Sequence, residues 1–321
     1  QMVEVARALA DEARILIMDE PTSALSEREV GQLFATITRL TADGVAVIYI
    51  SHRMDEVFRI GQRVTVMRDG CHVATRDIAD VTVPELVRLM ANREVSDHFP
   101  RRTHVRGEEL LRVDGLGGGG LRDVSLVLHR GEILGVAGLA GAGRTRLARA
   151  IVGADRPGRG QIAIGSRAVR ITSPTDAVRA GIGFLPEDRK QQGLVLGLSV
   201  ERNVALSHLP ALSRLGIVGR VKERHEAEQA IADLHIRTTG PEQQVLHLSG
   251  GNQQKVVLAK WLAARAEVLI FDEPTRGIDV AARHDIYLLM NQLVEHGAGV
   301  LVISSDLPEV LGMSDRVLVM R

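Results

Sequence analysis

The sequence has one cysteine, Cys71, and only eight aromatic residues among 321: five Phe, two Tyr and one Trp. A lone thiol excludes intramolecular disulfides and zinc sites built from cysteine pairs, and it fits a reducing compartment. So few rings leave little for base-stacking platforms on single-stranded nucleic acid. Neither charge is in excess, since 40 Lys plus Arg balance 40 Asp plus Glu. No net field draws the chain to nucleic acid or to an anionic membrane, and no nucleic-acid partner is expected. No apolar run approaches the ~18 residues of a membrane span, and the first residues lack the charged-then-apolar plan of a signal peptide. A cytosolic chain with no direct membrane insertion is expected. Hydrophobic residues at 45% and charged residues at 25% are globular values and exclude disorder and coiled coil. Glycine is the one excess, 32 of 321 against a usual share of roughly 7%.

What is present is a repeat. Residues 6–68 align with residues 259–321 at a constant offset of 253. ARILIMDEPTSALS with VAVIYISHRMDEVFRIGQRVTVMR in the first copy becomes AEVLIFDEPTRGID with AGVLVISSDLPEVLGMSDRVLVMR in the second. Asp19 matches Asp272, Glu20 matches Glu273, and His52 matches Ser305. The β-branched runs at 15–18, 45–50 and 64–67, and their counterparts, read as strands covered on both faces, with helical patterns at 27–40 and 283–293 between them. This alternation predicts βαβ units and an α/β fold with a mainly parallel sheet. Gln1 aligns with Gln254, so the LSGGNQ that leads into Gln254 is expected ahead of Gln1 in a longer protein. The expected organisation is an incomplete first domain over 1–92, a charged linker over 93–109, and a second domain over 110–321 that stops at Arg321 within or just after a strand. Thr82, Pro84 and Glu85 form a capping-box start for the last helix of the first domain.

Three motifs carry chemistry. GLAGAGRT, Gly138 to Thr145, follows a hydrophobic run and precedes a helical one. It nearly matches the phosphate-binding pattern G-x-x-x-x-G-K-[ST], with Arg144 in place of lysine. Gly138, Gly141 and Gly143 let backbone N–H groups face phosphate oxygens at a helix start, and Thr145 is placed to ligate Mg²⁺; alone, the motif also reads as a Gly-rich turn. ILIMDE and VLIFDE each end a hydrophobic strand in two carboxylates. A buried pair there is costly without a cation or proton, so Asp19 and Asp272 are candidate metal ligands, while Glu20 and Glu273 are candidate general bases. The alternative is a strand ending in a polar turn. LSGGNQQK places Ser249, Gly250, Gly251 and Asn252 at another helix start, a second anion site or a plain N-cap.

In this order the motifs resemble those of ABC ATPases. GLAGAGRT, IGFLPEDRKQQGLVLGLSVERNVAL, LSGGNQQK and DEPTRGIDV are similar to the second half of tandem ATPase subunits of monosaccharide importers of the ribose, galactose and xylose type. The resemblance implies two tandem P-loop NTPase domains of ABC type, each with a helical subdomain, the first incomplete here. It implies ATP and Mg²⁺ as cofactors, membrane permease subunits as partners, a periplasmic sugar-binding protein as an indirect partner, and a peripheral place on the cytoplasmic face of the inner membrane. It further implies that Glu20 and His52 act at one ATP site, closed by Ser249, Gly250 and Gly251 and adjoined by Asp279. A second site would use Gly138 to Thr145, Asp272 and Glu273. There Arg144 replaces Lys, Glu187 replaces the usual Gln, Ser305 replaces His, and Ser26 replaces Asp, so the expectation is one hydrolytic and one degenerate site. The competing readings are a soluble tandem ABC ATPase acting in translation or DNA repair, and a non-catalytic nucleotide-binding fragment. As it stands, the chain is expected to hydrolyse ATP weakly or not at all.

Overall fold

A computed structural model describes residues 13–22, 25, 27–51, 53–68, 70–91, 99–100, 105–139, 141–214, 216–278 and 280–321. The chain divides into two compact units, residues 1–96 with 279–281, and residues 97–278 with 282–321.

In the first unit the described elements are β1 (Ile15–Asp19), α1 (Glu27–Ala42), β2 (Ala46–Ile50), α2 (Met54–Ile60), β3 (Arg63–Arg68), β4 (Cys71–Asp77) and α3 (Val83–Ala91). β1 and β2 pair in parallel, with Ile15 opposite Ala46 and Asp19 opposite Ile50. Helix α1 has apolar residues at Val30, Leu33, Phe34, Ile37 and Leu40, the spacing of one helical face, and buries them with Leu16 and Met18 of β1. β3 and β4 form an antiparallel pair, packed with α3 around Val66, Val81 and Leu86.

The second unit runs β5 (Glu109–Gly118), β6 (Leu121–His129), β7 (Ile133–Gly138), α4 (Arg144–Ile151), β8 (Arg159–Ile164), β9 (Arg167–Val169), α5 (Pro174–Arg179), β10 (Ile182–Leu185), α6 (Val200–Ala205), α7 (Leu209–Leu212), β11 (Ser213–Arg214), β12 (Ile217–Val218), α8 (Arg220–Asp233), α9 (Gly250–Ala263), β13 (Val268–Asp272), α10 (Val280–Glu295), β14 (Gly299–Ile303), α11 (Leu307–Met313) and β15 (Arg316–Met320). Five strands form a parallel sheet in the order β10-β13-β14-β7-β15. Because side chains alternate along a strand, Leu269, Phe271, Val300 and Val302 bury against α9 and α10. Val268, Ile270, Leu301 and Ile303 bury on the other face with α4 and an antiparallel sheet of order β6-β5-β8-β9. A helical portion of α6, α8 and α9 packs together beside the sheet. The parallel core and helical subdomain match the expectation; the antiparallel layer was not foreseen.

At the same offset of 253, β1 and β2 fall on β13 and β14, α1 on α10, and α2 on α11, residue for residue. Even the register is kept, since Ile15 opposite Ala46 becomes Val268 opposite Gly299. Ahead of β5, the Phe99 ring lies 5.4 Å from that of Tyr287, and Asn291 donates to the Pro100 carbonyl at 3.0 Å.

Glu132 pins the entry to β7. Its side chain is fully buried and accepts from the His129 backbone N–H at 2.8 Å, from His129 Nδ1 at 2.9 Å and from Arg316 Nε at 2.5 Å. Burial alone would raise its pKa, but hydrogen bonds from Arg316 and His129 outweigh it and hold the carboxyl below its usual range. A depressed folded-state pKa gives stability that is present above the ordinary carboxylate range and is lost as pH falls through it. Glu132→Gln is therefore expected to cost about 1–3 kcal/mol at pH 7, the gap from wild type closing as pH drops below about 4. Urea midpoints across pH check this, and a gap independent of pH would contradict it.

Candidate functional site

Parallel strands deliver their carboxyl ends to one edge of the sheet, where ligands of such folds gather. At that edge stand Gly138 of β7, Asp272 of β13 and Ile303 of β14. The chain leaves β7, turns, and enters α4 through Gly143, whose left-handed φ of 92° favours a residue without Cβ. No side chain caps this helix start, so its first N–H groups are available to an anion. Thr145, in the first turn, donates to Asp272 Oδ1 at 3.2 Å. Asp272 is fully buried, and among the described residues its Oδ2 has no hydrogen-bond partner. Burial pushes its pKa up to about 6, against the hydrogen bond from Thr145. An orphaned buried carboxylate oxygen next to a hydroxyl and a helix start suits a hard cation such as Mg²⁺, whose remaining ligands come from phosphate and water.

Glu273 follows with a left-handed φ of 49°, its N–H donating to the Ile303 carbonyl at 2.8 Å. Its carboxylate is engaged. Ser305 Oγ donates to Oε2 at 2.9 Å, and Arg144 Nη2 lies 3.8 Å from Oε1. Arg144 also donates to the Ser304 carbonyl, so the arginine at the lysine position reaches across the strand ends to the candidate base. Glu187, in the loop after β10, is ion-paired with Arg276. Nearby, Arg189 donates to the Arg276 and Gly277 carbonyls at 3.1 and 3.2 Å, and burial lowers its pKa. Ser249 is the N-cap residue of α9, with Gly250 and Gly251 opening the helix. Asn252 donates to Ser249 Oγ at 2.9 Å and accepts from the Arg237 N–H at 2.8 Å.

The structure thus brings Arg144, Thr145, Asp272 and Glu273 into one contact set, with Gly138, Gly141 and Gly143 in the turn that leads to it. It joins Glu187 to the loop after Glu273, and it places Ser249 to Asn252 on a separate helix start. In the first unit Asp19 ends β1 and Glu20 repeats the left-handed backbone, with φ 43° and its N–H on the Ile50 carbonyl at 2.9 Å. His52, Asp279 and Ser26 lie outside the described residues. Arg189 and Arg276 were missed from the sequence, where they look like ordinary charges in polar loops; the DEPTRG and PEDRK motifs that contain them were the available signal.

The ABC transporter family matches residues 121–276. The fold resembles a nucleotide-free ATP-binding cassette from an ABC transporter, with TM-score 0.55 and 21% identity over 66% of this chain and 87% of that one. It also resembles cbiO1 from Clostridium perfringens, with TM-score 0.56 and 24% identity over 67% and 85%. The second unit has the ABC ATPase fold. Beyond this ABC unit, similarity extends along the whole chain. Ribose import ATP-binding protein RbsA 3 of Rubrobacter xylanophilus is 53% identical over 322 residues, covering 100% of this chain and 65% of its own length. RbsA of Bacillus subtilis is 47% identical over 320 residues, covering 99% and 65%. A putative ribose/galactose/methyl galactoside import ATP-binding protein 3 of Burkholderia cenocepacia is 52% identical over 326 residues, covering 99% and 63%. The chain therefore spans less than two thirds of the length of these relatives. Among the described residues no helix is long and apolar enough to cross a membrane.

Proposed function

We propose that the chain is part of an ATP-binding, ATP-hydrolysing subunit that energises monosaccharide uptake through an ABC importer. The observation that carries the reading is Asp272, a buried carboxylate with an orphaned oxygen beside Thr145 at an uncapped helix start. In this reading Gly138, Gly141, Gly143, Arg144 and Thr145 hold nucleotide phosphates through backbone N–H groups and the helix dipole. Thr145 and Asp272, and Asp19 in the first unit, hold Mg²⁺. The metal supplies charge neutralisation of the phosphates when bound. Glu20 and Glu273 are the candidate general bases, with His52 as the γ-phosphate contact beside Glu20. Ser249, Gly250, Gly251 and Asn252 close a nucleotide held by another ABC domain, Asp279 adjoins that site, and Glu187, at the usual Gln position, meets the nucleotide of the second site.

Two halves of ABC type, one following the other, are supported by the residue-for-residue repeat of β1-α1-β2-α2 in β13-α10-β14-α11. The second site is proposed to be degenerate. Arg144 is a planar fork that cannot replace a compact lysine ammonium inside the phosphate turn, and here it is drawn to Glu273. The partners are membrane permease subunits and, through them, a periplasmic sugar-binding protein, which places the subunit on the cytoplasmic face of the inner membrane. Similarity to import proteins along the whole of this chain disfavours a soluble role in translation or DNA repair. The test is uptake of labelled ribose and galactose into vesicles carrying the permease, with and without the subunit and internal MgATP. Uptake is expected to need both; MgATP hydrolysis that proceeds with no sugar uptake would sink the importer reading.

A further inference from the structure

Behind each DEPT turn lies a buried glutamate that none of these roles uses. In the first unit it is Glu56 on α2, 1% exposed. Its Oε2 accepts from Thr22 Oγ1 at 2.9 Å, from the Tyr49 hydroxyl at 2.7 Å and from Ser51 Oγ at 3.2 Å. Arg53 Nη1 lies 2.9 Å from its Oε1, and the Arg53 N–H donates to Ser51 Oγ at 3.0 Å. Thr22 stands two residues past Glu20, while Ser51 and Arg53 flank position 52. One carboxylate therefore ties the turn that carries Glu20 to both neighbours of His52. A buried charge is a poor source of stability when apolar residues of the same volume do as well, so its retention points to the geometry it enforces.

The second unit rebuilds this arrangement with different side chains. Glu309, the counterpart of Glu56, is fully buried. The hydroxyls of Ser304 and Thr275, counterparts of Ser51 and Thr22, and that of Tyr287 oppose the upward push of burial on its pKa, but among the described residues neither of its oxygens is hydrogen-bonded. The phenol and the guanidinium have moved. Val302 occupies the position of Tyr49 and Asp306 that of Arg53, while Tyr287 and Arg283 come from α10, at the positions of Phe34 and Val30. Phe34 sits beside Tyr49, ring centroids 6.3 Å apart, so the repeat position that supplies the phenol in the second unit neighbours the one that supplies it in the first.

We propose that Glu56 is a positioning residue for ATP hydrolysis, fixing the turn of Glu20 relative to Ser51 and Arg53 without touching nucleotide. This rests on the reading of Glu20 as a general base. The experiment is steady-state MgATP hydrolysis by the full-length subunit with its permease. Glu56→Gln is expected to lower kcat about 10- to 100-fold, the cost of a misplacement near 1 Å, with KM for MgATP within about threefold. Tyr49→Val, which keeps the carboxylate, is expected to lose about 3- to 10-fold in kcat, and adding Phe34→Tyr to restore it to within about twofold, by analogy with the second unit's route. If Glu56→Gln fails to fold, this tyrosine exchange decides the question. A wild-type kcat in Glu56→Gln, a loss appearing equally in KM, or a double variant no better than Tyr49→Val overturns the proposal. A wild type that hydrolyses no MgATP overturns the underlying ATPase reading and this inference with it, whereas an active wild type unaffected by Glu56→Gln overturns this inference alone.

Discussion

Glu20→Gln in the full-length subunit is expected to lower MgATP turnover by about 10² to 10⁴, the usual cost of losing a general base, whereas Glu273→Gln leaves it within about twofold. The two glutamates are matched in backbone. Each follows a strand-ending aspartate, each has a left-handed φ, 43° and 49°, and each N–H is fixed on the neighbouring strand, at Ile50 and Ile303. Such a φ costs of order 1–3 kcal/mol in a residue with a side chain and persists only where the surroundings enforce it. The difference lies in what meets the carboxylate. Glu273 accepts a hydrogen bond from Ser305 and faces the Arg144 guanidinium. Serine is too short to do what an imidazole at His52 would do for a γ-phosphate. Initial rates at saturating MgATP separate the two outcomes, and comparable losses from both substitutions would remove the asymmetry.

Much of this was legible in the sequence because the repeat supplies its own control. Strand-ending DE pairs, the helices between them and the parallel pairing follow from β-branched runs that recur at a fixed offset. The antiparallel sheet was not legible, because Gly117 to Gly120 break the alternation of β5 and β6, and those glycines had no assigned role. The structure gives them one: Gly118, Gly119 and Gly120 turn the β5–β6 hairpin with φ of 106°, 60° and 99°, values that glycine alone adopts readily. At the site, the phosphate turn and Asp272 could be named from spacing, but the contacts that decide their chemistry could not. Arg144 meets Glu273 and Glu187 meets Arg276 across long stretches of chain. Nothing in the sequence marks Glu56 and Glu309 as buried. Their only sequence signal was that the repeat holds Glu at both positions while Tyr49 and Arg53 become Val302 and Asp306.

Asp272→Asn is expected to stabilise the nucleotide-free chain and to abolish its response to MgATP, two effects of opposite sign from one atom. Burial raises the Asp272 pKa to about 6, above an unfolded-state value near 3.9. Between about pH 4 and 6 the folded state therefore binds a proton that the unfolded state does not, so stability falls as pH rises through this window. At pH 7 the charged, half-satisfied carboxylate is a standing cost, and asparagine removes it. A gain of about 1–2 kcal/mol, or a few degrees in Tm, is expected, and the downward slope between pH 4 and 6 should flatten. The same substitution takes away the charged oxygen proposed to meet Mg²⁺. Losing outer-shell support alone weakens metal sites 10- to 100-fold, so a direct ligand is worth about 100-fold or more. At MgATP near 100 times the wild-type Kd, linkage stabilises the wild type by about 2.7 kcal/mol and the variant by about 0.4 kcal/mol. Thermal melts with and without MgATP, at pH 5 and pH 7, measure both effects. A variant that melts lower than wild type at pH 7 without nucleotide would contradict the standing cost of the carboxylate, and one that keeps the full MgATP shift would remove Asp272 from the metal site.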